Sequence, residues 1–292
     1  LYGRKYNLYR IIKLWLEVFF YSVVIGCIAY ILHIREVTFS SVLGMLLPIT
    51  SREYWYMSTY FVLYILYPFI LYGIDRIDKK HYRNLLLILL VLFSFLPTST
   101  HAKWLSGVGN LPIFITLFLF GAYTKKYEIS QRKGNFSKIL LLLVTFLLTW
   151  VGEVFLKRRL PEYSFYMVWG MWKLPVVIIA LQIFLIFKGL GKGTPNVVNV
   201  IAQSVSGVYL IHIGRLENYL FKELIDNSVT YDKPVYLCIQ IALSTLVIFG
   251  VCILIDRCRI QLFGKIENGI ADIVYKRIQG IESEIYGFYI VH

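Results

Sequence analysis

Charged residues are scarce in this chain. They make up 16% of its 292 residues, against about a quarter in ordinary soluble domains. Hydrophobic residues reach 58%, and mean hydropathy is +0.65. Length alone would suggest two soluble domains; the apolar excess replaces that with one polytopic membrane domain. Cys27, Cys238, Cys252 and Cys258 have no metal-ligand spacing, and three of them lie in apolar runs, so they read as packing residues. His33, His101 and His212 are scattered, with no acid at ligand spacing, and no metal site is expected. Gly189-Leu190-Gly191-Lys192-Gly193-Thr194 lacks the glycine that a phosphate-binding loop needs four residues before its Gly-Lys-Ser/Thr run. It also follows an apolar run instead of a strand, and it reads as a tight turn. There is no internal repeat, no low-complexity tract and no soluble domain.

What the chain has is long apolar runs. From Tyr54 to Gly73 only Ser58, Thr59 and tyrosine hydroxyls interrupt the hydrophobic character, and about 20 such residues in a helix cross a bilayer. Eight spans are predicted, at 14–34, 54–74, 84–97, 109–124, 136–156, 166–188, 197–214 and 234–255. The third is short and needs its flanks. Leu43 to Pro48 is too short to span and reads as a re-entrant or interfacial piece. The fold class is all-α, a polytopic helix bundle.

The net charge of +13 sits in short clusters between apolar runs, which points to membrane orientation and not to nucleic acid. One set of alternate loops holds roughly 20 Lys and Arg, the other roughly 9. The richer set contains both ends of the chain, which are therefore predicted to be cytoplasmic. After the domain 1–255, the segment 256–292 alternates apolar residues with Arg257, Arg259, Lys265, Lys276 and Arg277. It reads either as an amphipathic helix resting on the anionic leaflet or as a solvated helix on the same side.

Several residues are candidates for chemistry. His212 lies near the outer end of a span, where an ionisable group marks either a function or a paired interior contact. A neutral imidazole there can take a proton from a hydroxyl; the alternative is an interhelical hydrogen bond. Arg10 and Lys13, one turn apart at the mouth of the first span, either clamp phosphate groups or simply anchor the helix. Arg52 and Glu53 precede Trp55 at the outer surface, where they pair with each other or meet a polar acceptor. Lys173, between Trp172 and Pro175, either contacts substrate or snorkels. Glu17 and Glu153 raise the same question.

Four local patterns resemble a known family. Arg10-Ile11-Ile12-Lys13 is similar to an Arg-x-x-Arg motif with Lys in the second place. Trp55-Tyr56-Met57, leading to Tyr64-Ile65-Leu66-Tyr67-Pro68, resembles a Trp-Tyr-Leu…Leu-Tyr-x-x-x-Pro signature. Leu117 to Tyr123 resembles a Phe-x-x-Gly-Ala helix end, and Ser206 to His212 is similar to a Ser-x-Gly-x-Tyr-Leu-x-His segment. In order, these resemble the acyltransferase-3 family of bacterial membrane proteins.

The resemblance implies about ten spans, so two are expected upstream of Leu1 together with the family's main histidine base. The chain does not begin with Met and shows no signal peptide. Tyr60, where some branches carry Glu, places the chain nearer the simple branch without a fused extracellular domain. The resemblance further implies an O-acyltransferase of the bacterial inner membrane. Its donor would be cytoplasmic acyl-CoA, usually acetyl-CoA, and its acceptor a hydroxyl of a surface polysaccharide or lipid-linked glycan. Arg10 and Lys13 would face the CoA phosphates and His212 would line the site. Arg52, Glu53, Trp55, Lys173 and Tyr209 would contact substrate. A glycan or lipid transporter is the alternative, since Glu17, Lys173 and His212 could line a path; a non-catalytic partner in glycan assembly is a third reading.

Overall fold

A computed structural model describes residues 6–51, 53–99, 110–128, 135–160, 167–168, 170–189, 196–226, 230 and 232–290. Among them every regular element is helical. The principal helices are α1 (Leu8–Ile31), α2 (Phe39–Leu46), α3 (Trp55–Ile74), α4 (Lys79–Ser99), α5 (Leu111–Lys126), α6 (Asn135–Arg159), α7 (Leu174–Lys188), α8 (Asn196–Gln203), α9 (Val205–His212) and α10 (Pro234–Ile290). Five are long and apolar enough to cross a membrane: α1, α3, α4, α6 and α10, with α7 a shorter apolar helix. The chain is an integral membrane protein by that measure.

Local chemistry sets where these helices start. Asn7 caps α1, its side-chain oxygen accepting from the Tyr9 N–H at 2.8 Å. Thr38 and Ser41 cap α2 reciprocally, each side chain accepting from the other's backbone N–H. The span predicted at 84–97 is longer than its apolar core, running from Lys79 to Ser99 after the Asp78 cap. Its middle widens into a π-turn at Val91–Phe95, just before Pro97, which has no N–H to donate back along the helix.

The chain forms two compact units. In the unit built on Val62–Gly193, α4 and α5 meet around Ile74, Tyr82, Leu86, Leu119 and Tyr123. Tyr82 donates to the Leu119 carbonyl at 2.8 Å, which partners its buried hydroxyl. α6 packs on α7, where Gln182 donates to Thr145 Oγ1 at 2.8 Å. Leu141, Leu143, Phe146, Leu147, Leu148 and Trp150 of α6 stay exposed, as a lipid-facing surface requires.

The second unit, Lys5–Phe61 with Thr194–His292, holds α1, α2, the start of α3, α8, α9 and α10. Its core is Val18, Tyr21, Ile25, Tyr54, Met57 and Leu210. Two expectations are corrected here. The span predicted at 197–214 is not continuous: a tight turn at Ser204, whose N–H bonds the Ile201 carbonyl, separates α8 from α9. And the span predicted at 234–255 and the helix read after it are one element. It continues unbroken through 255/256 for 57 residues, about 85 Å. Arg259, placed by sequence among the surface cations of that segment, is only 7% exposed.

Arg215, just after α9, pins the other end of this unit. It is buried, and its guanidinium donates to Tyr30 OH (2.8 Å), the Ser41 carbonyl (2.9 Å) and Glu53 Oε2 (2.8 Å). It thereby ties α1, α2 and the entry to α3 together. Sequence left Arg52 and Glu53 to pair with each other or to meet a polar acceptor; Arg52 lies outside the described residues, and Glu53 pairs with Arg215. Replacing Arg215 with Met strands the Glu53 carboxylate and should destabilise the protein by about 3–5 kcal/mol. Thermal unfolding in detergent should show a marked drop for Arg215→Met and a smaller one for Arg215→Met with Glu53→Gln.

Candidate active site

Helical spacing puts Arg10, Lys13, Leu14, Glu17 and Tyr21 on one face of α1. The two cations are exposed, Glu17 is half-buried and Tyr21 is buried, so the stripe passes inward along the helix. Facing its inner part are α10, which supplies Asp256, Arg259 and Glu267, and α9, which supplies Ser206.

These groups form one buried polar cluster. Arg259 gives Nη1 to both carboxylate oxygens of Glu267, at 2.6 and 2.8 Å, and Nε to Asp256 Oδ1 at 3.0 Å. Its Nη2 lies 3.5 Å from Glu17 Oε1. Tyr21 donates to Asp256 Oδ1 at 2.7 Å, and Ser206 Oγ donates to Glu17 Oε1 at 2.7 Å. Three carboxylates thus surround one guanidinium, and the second oxygen of Asp256 has no hydrogen-bond partner. Gly207 makes the approach of α9 and α10 possible. A Cβ at that position would stand 2.4 Å from Asp256 Oδ1.

Beside the cluster lies a cavity of about 480 Å³, lined by Leu14, Tyr56, Met57, Tyr60, Val205, Ser206 and Tyr209. That volume falls within the range of small-molecule sites, and the lining is mostly apolar and aromatic with a few polar groups, as such sites are. The Tyr209 ring packs edge-on to Tyr54 and tilted against Tyr56, and its hydroxyl accepts from the Tyr56 N–H at 3.4 Å. One turn further along α9, His212 places Nδ1 2.6 Å from the Val208 carbonyl. A carbonyl only accepts, so the proton sits on Nδ1 and the lone pair of the neutral ring is on Nε2. The contact is within the helix and not the interhelical bond considered from sequence.

A second cavity, about 380 Å³, is lined by Arg35, Glu53, Trp55, Ile213, Gly214 and Glu217. It is more polar, and it begins at the residue after His212. Gly214 has φ +106°, and a Cβ there would meet the Tyr54 ring at 3.0 Å, so the turn out of α9 needs glycine.

The structure therefore gathers Arg10, Lys13, Glu53, Trp55, Tyr209 and His212 into one unit. It places Lys173 in the other, at the start of α7, where Nζ donates to the Pro97 carbonyl at 3.0 Å. Glu153, also in that unit, accepts from the Met167 N–H. The turn at 190–194 lies outside the described residues. Sequence reasoning missed the cluster around Arg259. The available signal was Asp256 and Arg259, opposite charges three residues apart directly after an apolar run of more than twenty residues.

The acyltransferase-domain model of the acyltransferase 3 family matches residues 2–257. The chain belongs to that family. It is accordingly an acyltransferase, with an acyl donor and an acceptor, and the transporter reading is set aside. No curated protein and no solved structure matches the chain. The match ends within α10 just past Asp256, so Arg259 and Glu267, which complete the cluster, fall beyond the matched residues of this acyltransferase.

The close α9–α10 contact can be tested by adding one methyl group. Gly207→Ala should destabilise the protein by about 1–3 kcal/mol, because Asp256 has nowhere to move. Gly250→Ala, on the same α10 with open space around it, should be neutral or stabilising by up to about 1 kcal/mol. Paired melting curves in detergent separate the two.

Proposed function

We propose that this acyltransferase moves an acyl group, acetyl in the simplest case, from cytoplasmic acyl-CoA to a hydroxyl of a surface polysaccharide or lipid-linked glycan. It would work in the bacterial cytoplasmic membrane, with the Arg10 end of α1 on the cytoplasmic side. The uneven distribution of Lys and Arg between alternate loops supports that orientation.

The observation that carries the reading is the single face of α1 on which exposed Arg10 and Lys13 lead to Leu14, in the wall of the cavity, and then to Glu17. Donor phosphates held by the two cations direct the rest of the molecule along that face. From Arg10 to Glu17 is about 10 Å of helix, so the reactive thioester end enters the cavity beside Ser206 and Tyr209. Lys13 neutralises phosphate as a point charge, and Arg10 adds a planar fork.

The acceptor is assigned to the second cavity. The Trp55 ring offers an apolar face to the C–H side of a sugar. Glu53 and Glu217 accept hydrogen bonds from hydroxyls, and Arg35 supplies donors. His212 itself lines neither cavity, but its ring lies edge-on to Tyr209 of the first, 6.4 Å between centroids, and it directly precedes Ile213 of the second. Its Nε2 lone pair can accept a hydrogen bond from a hydroxyl of the bound acceptor, which positions that molecule without taking the reacting proton.

Binding tests the donor assignment directly. The purified full-length protein in detergent should bind acetyl-CoA, and Arg10→Ala and Lys13→Ala should each weaken binding about tenfold, the value of one charge-assisted contact. Lys13→Arg should bind at least as well as the natural residue. Unchanged affinity in the Arg10→Ala, Lys13→Ala double variant would remove the cations from the donor site.

A further inference from the structure

We propose that Ser206 is a catalytic nucleophile that carries the acyl group as an ester between donor and acceptor. This rests on the acyl-transfer reading above and adds a covalent intermediate to it.

Ser206 combines three features that a nucleophilic hydroxyl requires. It lines the cavity assigned to the thioester, so a carbonyl carbon can reach it. Its Oγ is 2.7 Å from Glu17 Oε1 and donates to it, so its proton already points at an acceptor. And Glu17 is held in place from its other side by Arg259 Nη2 at 3.5 Å, the third group that orients the base.

The division of Arg259 among its three carboxylates matters here. Glu267 takes both oxygens to Nη1 and Asp256 takes Nε, leaving Glu17 the longest of the three ion-pair contacts. Glu17 is thus held only loosely by the guanidinium, and its Oε1 also takes the Ser206 hydroxyl at 2.7 Å. Ser206 also sits in the first turn of α9, where backbone N–H groups have no intrahelical carbonyl. Such groups are suited to hold the oxyanion that forms when the hydroxyl adds to the thioester.

The chemistry balances without a further reactant. Ser206 Oγ bonds to the thioester carbonyl carbon and its proton passes to Glu17. The C–S bond breaks, and the sulfur leaves as the thiol with the proton from Glu17. In the second half, the acceptor hydroxyl adds to the Ser206 ester and gives its proton to Glu17. The ester C–O bond breaks, and Ser206 recovers that proton.

The test is acyl labelling of the full-length protein. Protein in detergent is mixed with acetyl-CoA radiolabelled in the acetyl group, without acceptor, then denatured and digested. The expected result is label on the peptide containing Ser206, stable to neutral hydroxylamine and released by alkali. Ser206→Ala should lose the label and lower transfer to acceptor by about a hundredfold or more. Ser206→Cys should take up label again, now as a thioester that neutral hydroxylamine cleaves. Ser206→Ala that transfers acetyl at the rate of the unaltered protein overturns the proposal and leaves the acyltransferase reading intact. Label that persists on another residue in Ser206→Ala also overturns it. If the unaltered protein neither binds nor turns over acetyl-CoA, the donor assignment falls, and the proposal with it.

Discussion

A guanidinium buried among helices that face lipid has to be matched by charge, and in this protein that requirement organises one whole unit. Arg259 is 7% exposed on a helix whose neighbouring residues are largely apolar. An uncompensated ion in such a place is strongly destabilising. Glu267 is supplied by the same helix, but Glu17 comes from α1, and Asp256 is itself held by Tyr21 of α1. α1 and α10, more than two hundred residues apart in the chain, are thus joined by polar contacts that neither helix can satisfy alone. α9 is added through Ser206 on Glu17 and through Gly207, whose missing side chain lets Asp256 approach.

That constraint explains what could be read from sequence and what could not. The apolar runs gave the helical class, and α1, α3, α4, α6 and α10 stand where long hydrophobic stretches placed them. The residues named for chemistry were chosen as ionisable or aromatic groups at membrane depth, and most fall in one unit. Lys173 does not, because its depth in a span says nothing about which helices surround it. Arg259 was misread for a related reason. Hydropathy drops after residue 255, and a drop of that kind looks the same whether the cations meet water or carboxylates from another helix. Periodicity on α10 alone contains no information about Glu17. The break at Ser204 was equally hidden. Ser204-Val205-Ser206-Gly207 sits in an apolar stretch of normal length, and its composition does not mark the turn that separates α8 from α9.

The break has a consequence for the cavities. Because α9 is only eight residues long, both of its ends are available to shape space. Val205 and Ser206, at its start, close one side of the larger cavity, and Ile213 and Gly214, just past its end, wall the smaller one. Tyr209 and His212 occupy the turns between. A continuous span from 197 to 214 would give the N–H groups beside Ser206 intrahelical carbonyl partners one turn back. The short helix, with its glycine at each critical approach, is what allows two spaces of different polarity to open at opposite ends of one element.

The same cluster fixes the position of the exposed cations. Each residue of an α-helix is rotated by about 100° from the last, so a slip of one position along α1 would swing Glu17 away from Arg259 and Ser206 together. It would also take Leu14 out of the cavity wall and Tyr21 away from Asp256. There is no intermediate register in which half of these contacts survive, because all of them lie on one face. Arg10 and Lys13 share that face, and their location relative to the cavity is therefore held by the Glu17 ion pair and the Tyr21 hydrogen bond one to three turns further along the helix. Side chains as long and mobile as these gain a defined target only when their backbone is fixed in this way. The buried charges, which look at first like a burden in an apolar bundle, are what give the surface charges a direction.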